Sequence, residues 1–221
     1  MDMVDTRDMV WVHAAIRGEF SRLQANLAMF ARADADAWDR YAEHWQLMHD
    51  FLIEHHTGED NLLWPLLRER LPDRLDLIAH MEDEHRVVHQ LLGTLDGQIS
   101  ELTQARATAS PSDINRCVAE CDETFLELIA QTIQHLEDEE QQILPAVPGA
   151  LTPKEWALLP QEATAILGEE ASVKVLGYVL KWMPAADRPT MLATLPPDVV
   201  NNWEDSASAD FERYDAALDR P

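Results

Sequence analysis

The stretch His55-His56-Thr57-Gly58-Glu59-Asp60-Asn61-Leu62-Leu63-Trp64-Pro65 returns eighty residues later as His135-Leu136-Glu137-Asp138-Glu139-Glu140-Gln141-Gln142-Ile143-Leu144-Pro145. Both copies read His-x3-Glu followed by an acid, and both end in two apolar residues and a proline. On a helix, residues four apart share one face and lie about 6 Å apart along the axis. A histidine and a glutamate so placed can bind one metal ion. Two such pairs on two helices predict a dinuclear metal site inside a helical bundle.

The composition favours helix and argues against polyanionic partners. The chain has 221 residues, of which 46% are hydrophobic, and only seven glycines. Its net charge of −24 is unsuited to nucleic acid or an anionic membrane, because phosphate binding needs clustered Lys and Arg. We therefore expect neither as a partner.

Nothing in the sequence indicates secretion or membrane insertion. The acidic start at residues 1–5 has no apolar run behind it, and no stretch approaches eighteen apolar residues. The cysteines Cys117 and Cys121, one helical turn apart, do not form a disulfide framework. These features predict a cytoplasmic protein.

Apolar residues recurring at steps of three and four predict an all-α fold. The four long helices expected are Asp8–Arg32, Trp38–Arg70, Asp73–Ala105 and Ser112–Leu144. Short connections between them predict an antiparallel up-down four-helix bundle. Because Pro65 lacks an N–H and disfavours helix at the residue before it, we expect a kink or a break there.

The composition changes after Pro148, where prolines punctuate several short helical segments. The expected segments are one beginning at Thr152, then Ala171–Trp182, Asp187–Leu195 and Trp203–Leu218. We therefore predict a bundle over residues 1–148 and an appendage of short helices over residues 149–221. This appendage leaves the fourth helix at the end where the metal site is expected, so it is positioned to cap that site.

Helix lengths place one set of side chains from all four helices at the same height. The set is His13, His55, Glu59, His85, His135 and Glu139. His89 lies one turn from His85 and is included as a further predicted ligand, whereas His56 and Asp60 are interpreted as neighbours. His80 and Glu84 repeat the His-x3-Glu spacing, but His80 lies away from the apolar stripe. The alternative is a buried network of His–Glu hydrogen bonds.

The predicted ligands restrict the metal. Five imidazoles and two carboxylates are too rich in nitrogen for Mg or Ca, and this ligand set contains no thiolate for a structural Zn site. The set suits a pair of Fe ions, with Mn or a dinuclear Zn site as alternatives.

The combined pattern of His13, His55-x3-Glu59, His85-x3-His89 and His135-x3-Glu139 resembles the hemerythrin-like, or HHE cation-binding, family in its bacterial form, over about residues 8–147. The resemblance implies an oxo- or hydroxo-bridged, non-haem di-iron centre. It also implies that Glu59 and Glu139 bridge the two irons. His85, His89 and His135 would bind one iron, and His13 and His55 the other.

One departure bears on function. Oxygen-carrying hemerythrins have His-x4-Asp on the fourth helix, whereas this chain has His135-x3-Glu139. The resemblance is therefore closer to bacterial members that handle O2, NO or peroxide. Open alternatives are a di-iron oxidase or oxygenase acting on an organic substrate, and an iron-binding or sensing protein without turnover. No general acid or base is evident beyond the ligands, and we expect a monomer or homodimer.

Overall fold

A computed structural model describes residues 3–220, and within them the chain is helical and contains no strand. The all-α prediction is confirmed. The long helices are α1 (Arg7–Phe30), α2 (Ala35–Gly58), α4 (Leu75–Thr108) and α5 (Pro111–Asp138), and a short α3 (Trp64–Arg70) continues the direction of α2. None of these helices combines the length and the apolarity needed to cross a membrane.

Side-chain caps fix where two of the long helices begin. The Asp34 carboxylate accepts a hydrogen bond from the backbone N–H of Ala37 at 2.8 Å, and Ser110 Oγ accepts one from that of Asp113 at 3.3 Å. These bonds satisfy N–H groups that the first turn of a helix leaves without a backbone partner.

Both copies of the repeat contain a π-helical turn that begins at the glutamate. The turns span Glu59–Leu63 and Glu139–Ile143, and each closes with a bond from the next backbone N–H to the glutamate carbonyl oxygen. A proline follows at position 65 or 145, where an ordinary α-turn would press its ring against the carbonyl four residues earlier. The wider turn relieves that clash, so the interruption expected near Pro65 is a bulge through which the helix continues.

The long helices pack in neighbouring pairs around two apolar clusters. Helix α1 contacts α2 and α5, and α4 contacts α5 and α2. The larger cluster includes Ile16, Leu52, Val88 and Leu136, and the smaller one includes Met9, Leu63, Met81 and Ile143. On each helix the predicted metal ligands lie between a residue of one cluster and a residue of the other, so they form a polar layer that separates the two.

The C-terminal part contains more helix than the sequence suggested. Its helices are α6 (Val147–Ala150), α7 (Pro153–Trp156), α8 (Leu158–Leu167), α9 (Glu169–Trp182), α10 (Arg188–Thr194), α11 (Pro197–Asn202) and α12 (Ser208–Ala217), with a third π-turn at Trp203–Ala207. Helix α8, which the sequence analysis did not predict, contacts α2 and the first π-turn, while α9 contacts α1 and α12. The division at residue 148 and the capping role stay predictions.

Two glycines allow close packing of α9, one against α1 and the other against α12. A Cβ at Gly18 of α1 would overlap the indole of Trp182, and one at Gly177 of α9 would overlap the ring of Phe211. Trp182 Nε1 also donates to the buried carboxylate of Glu19 at 2.6 Å. Residues from α9 therefore pack against the middle of α1 without space between them.

Candidate metal centre

Seven side chains of the polar layer form two adjoining groups. One contains His13, His55, Glu59 and Glu139, and the other contains His56, His85 and His135. Within each group, one potential ligand atom per residue lies within 4.8 Å of all the others. Six of the seven residues are buried, and the His55 side chain is only 7% exposed. The structure thus brings together six of the seven predicted ligands and adds His56.

The two glutamates face imidazoles from more than one helix. Glu139 Oε2 lies 3.2 Å from His13 Nε2. Glu59 lies between two rings, with Oε1 3.4 Å from His55 Nε2 and Oε2 3.3 Å from His85 Nε2. Glu59 therefore touches a member of each group, as a carboxylate shared between two ions would.

Many of these inward-facing atoms have no hydrogen-bond partner. They are the Nε2 atoms of His13, His55 and His56 and all four carboxylate oxygens of Glu59 and Glu139. Leaving a buried polar group unpaired costs about 1–3 kcal/mol, and more when the group is charged. Seven unpaired donors and acceptors around one small volume fit bound cations better than they fit a closed hydrogen-bond network.

The outward-facing Nδ1 atoms are held by a second set of side chains. His85 Nδ1 donates to Asp60 and His13 Nδ1 donates to Glu140, both at 2.8 Å. His135 Nδ1 donates to Glu84 at 3.1 Å. A carboxylate on one ring nitrogen fixes the imidazole with the other nitrogen free for a metal. The acid after each glutamate in the repeat was the sequence signal for two of these contacts.

His56 lies between His85 and His89, so His89 contacts the layer through His56. The His56 ring is fully buried and stacks on that of His85 with centroids 4.0 Å apart. His89 is only partly buried, and its Nε2 lies 3.2 Å from His56 Nδ1. His89 belongs to neither group, so its role as a ligand stays a prediction. On an ideal helix His55 and His56 point 100° apart, and both enter the layer because each serves a different group.

The electrostatics divide the histidines. Burial opposes protonation of His13 and His85, but the carboxylates beside each ring outweigh it and raise the pKa of both to about 9. Burial lowers the pKa of His55 and of His56 well below the usual value, and neighbouring histidines lower both further, so these rings are neutral. Burial raises the pKa of Glu59, and the nearby charge of Glu139 raises it further. Two carboxylates that repel each other in a dry interior need positive charge between them, which cations would supply.

Thr132 is a further buried polar residue beside the layer. It lies one turn before His135 on α5, and its hydroxyl has no hydrogen-bond partner. Its place one turn before His135, on the same side of the helix, is the sequence signal for a residue near an open coordination position.

The comparison with protein families agrees with this geometry. Residues 5–147 match the model of the hemerythrin HHE cation-binding domain. Searches of curated proteins and of solved structures gave no significant match. The matched range covers well over half of the chain and contains both groups of potential metal ligands. The protein is therefore a helical, metal-binding member of the hemerythrin HHE cation-binding family.

Proposed function

We propose that the protein is a non-haem di-iron protein that binds or reacts with O2, NO or peroxide. In this proposal the four long helices form an antiparallel up-down bundle around the metal pair. The proposed ligands are His13, His55, Glu59, His85, His135 and Glu139, with the remaining position taken by His56 or His89.

The observation that carries the proposal is the convergence of unpaired buried donors. Three imidazole nitrogens and four carboxylate oxygens lack partners in a layer from which solvent is excluded. Glu59 touches rings of both groups, which supports its role as a bridge between two ions. Glu139 faces His13, of its own group, so the proposed second bridge is supported instead by its two buried, unpaired carboxylate oxygens.

Iron is the metal that the donor set favours. Neutral imidazoles and carboxylates suit iron, with manganese or zinc as alternatives, and neither buried group contains a cysteine. A bound iron pair would supply reversible binding of a small ligand and one- or two-electron chemistry. The chain itself holds the rings through Asp60, Glu84 and Glu140 and keeps bulk water out of the layer.

The burial of the layer supports a small ligand. A cleft of about 330 Å3 opens elsewhere, beside Leu47 and residues 167–174, and no member of the two groups lines it. A diatomic molecule or peroxide fits a closed site, whereas an organic substrate would need an adjoining pocket. The unpaired Thr132 hydroxyl is a candidate hydrogen-bond donor to such a ligand.

We also propose a cellular location, an oligomeric state and a range of partners. We expect a cytoplasmic monomer or homodimer without nucleic-acid or membrane partners, in keeping with the net charge of −24. Oxidation of an organic substrate and iron sensing without turnover remain the alternatives to small-ligand chemistry.

Elemental analysis and the optical spectrum of protein purified with iron test the proposal directly. We expect two irons per chain and an absorption band that changes on adding O2, NO or H2O2. Glu139→Ala should lose at least one iron, whereas Glu127→Ala, at an exposed position on α5, should keep both. Absence of bound metal in the wild type would refute the proposal, and two irons retained in Glu139→Ala would refute the second bridge.

A further inference from the structure

A third group of potential metal ligands lies outside the buried layer. It consists of His80 and Glu84 on α4 and Asp138 at the end of α5, and its ligand atoms also lie within 4.8 Å of one another. The His80 side chain is 57% exposed and its Nε2 lies 3.3 Å from Glu84 Oε1. A cation could therefore reach this group directly from solvent.

The donors suit a divalent transition metal. One imidazole and two carboxylates provide three ligands and leave the other coordination positions to water. The Asp138 carboxylate is held in place by the amides of Gln134 and Gln142, each donating at 2.6 Å to a different oxygen. Since a carboxylate oxygen has two lone pairs, these bonds leave Asp138 able to bind a metal.

Glu84 connects this outer group to the buried layer. Its Oε1 faces His80, while its Oε2 accepts the hydrogen bond from His135 Nδ1 at 3.1 Å. A cation on Oε1 would draw electron density from the carboxylate and weaken that hydrogen bond. The ring of His135 would then become a slightly weaker donor at its other nitrogen.

The other half of the repeat has no such group. Aligning His13 with His85 places Val12 opposite Glu84 and Asp8 opposite His80. Aligning the two His-x3-Glu motifs places Gly58 opposite Asp138, and Leu159 of α8 packs over this glycine. The outer group is thus a feature of α4 and α5 alone and not a by-product of the duplicated motif.

We propose that His80, Glu84 and Asp138 form a third metal site, which binds a hydrated divalent transition-metal ion at the surface and is coupled through Glu84 to the buried pair. Binding at the outer site does not depend on the proposed function. The coupling rests on it, because it requires a metal on His135.

Zinc uptake by the iron-loaded protein tests the site. After equilibrium dialysis against Zn2+, elemental analysis should find one zinc added per chain with the iron content unchanged. His80→Ala and Asp138→Asn should weaken this uptake at least tenfold. His49→Ala is the matched control, because His49 is also partly exposed and lies 2.9 Å from a carboxylate, that of Asp50.

Three results would overturn the outer site: no added zinc in the wild type, zinc gained only as iron is lost, or equal uptake by His80→Ala. If the wild type contained no iron but bound one zinc more than His80→Ala, the outer site would stand and the di-iron proposal would be refuted. The two failures are therefore distinguishable.

The optical spectrum tests the coupling. We expect Zn2+ to shift the absorption band of the iron pair in the wild type and in His49→Ala, but not in His80→Ala. A zinc ion that binds without changing the band would overturn the coupling and leave the outer site in place.

Discussion

Asp60 accepts a hydrogen bond from Nδ1 of His85 at 2.8 Å, and Asp60 directly follows the glutamate whose Oε2 lies 3.3 Å from Nε2 of the same ring. The second copy repeats this relationship, since Glu139 and Glu140 contact the two nitrogens of His13. Each copy of the motif thus supplies a proposed ligand and the group that orients an imidazole on another helix. The duplication explains why an acid follows the glutamate both times.

The first prediction concerns these orienting acids. Asp60→Ala and Glu140→Ala should each lower metal affinity about 10- to 100-fold, because the released ring can rotate and becomes a poorer donor. Competition with a chelator, followed by elemental analysis, measures the loss. Glu127→Ala, which removes an exposed carboxylate on α5, should match the wild type. Unchanged affinity in both acid variants would show that these bonds do not support the site.

The helical fold and the ligand layer could be predicted because both depend on short-range periodicity. The 3.6-residue period fixes which side of each helix is apolar, and the helix lengths fix the height of His13, His55, His85 and His135. The family match over residues 5–147 confirms the resemblance stated from these residues.

The contacts between distant residues could not be predicted in the same way. The bond between Asp60 and His85 depends on how α2 packs against α4. The π-turn at Glu59 also changes the direction, about the helix axis, of the side chains that follow it. Glu19 and Trp182 lie 163 positions apart, so no local pattern indicates their contact. His56 was set aside because an ideal helix places it at the margin of the apolar stripe, whereas the structure places its ring with His85 and His135 in one of the two groups.

The second prediction distinguishes His56 from His89. His56→Ala should lower the metal content, because its unpaired Nε2 is buried among His85 and His135. His89→Ala should retain both metals, because His89 contacts the layer through His56 Nδ1. Metal analysis of the two purified variants measures this difference. Loss of metal only in His89→Ala would instead assign the ligand role to His89, as the sequence predicted.

The third prediction concerns the packing of α9 on α1. Gly18→Ala should destabilise the protein by about 1–3 kcal/mol, the usual cost of overpacking, because the new methyl group would overlap Trp182. Urea unfolding measures the loss, and limited proteolysis should show faster cleavage in residues 158–218. Gly93→Ala is the matched control, since no atom lies within 4 Å of its added Cβ.

The control Gly93→Ala should change the free energy of unfolding in the opposite direction to Gly18→Ala. Replacing a glycine inside a helix by alanine stabilises it by about 0.5–1 kcal/mol where space is free. If both variants were stabilised equally, the close contact between Gly18 and Trp182 would not contribute to the folded state.

The fourth prediction follows from the buried pair of His44 and Glu19. His44 Nε2 donates to Glu19 at 2.9 Å, and the hydroxyl of Tyr214 lies 3.3 Å from its Nδ1, where it can donate to a neutral ring. Burial lowers the pKa of His44, and the bond to Glu19 only partly offsets this. Burial raises the pKa of Glu19, but the hydrogen bond from His44 and its other partners lower it to about 2, so this carboxylate stays ionised.

Because the pKa of His44 is lower in the folded chain than its ordinary value of 6.5, protons bind the unfolded chain first as the pH falls. Its contribution to the free energy of unfolding is therefore complete above pH 6.5 and is lost as the pH falls towards the folded pKa. One such group changes that free energy by at most about 1.4 kcal/mol per pH unit. We expect urea unfolding of His44→Gln to depend less steeply on pH between 7 and 5 than that of the wild type. Parallel curves for His44→Gln and the wild type would mean that His44 takes up a proton equally well in the folded and unfolded chains.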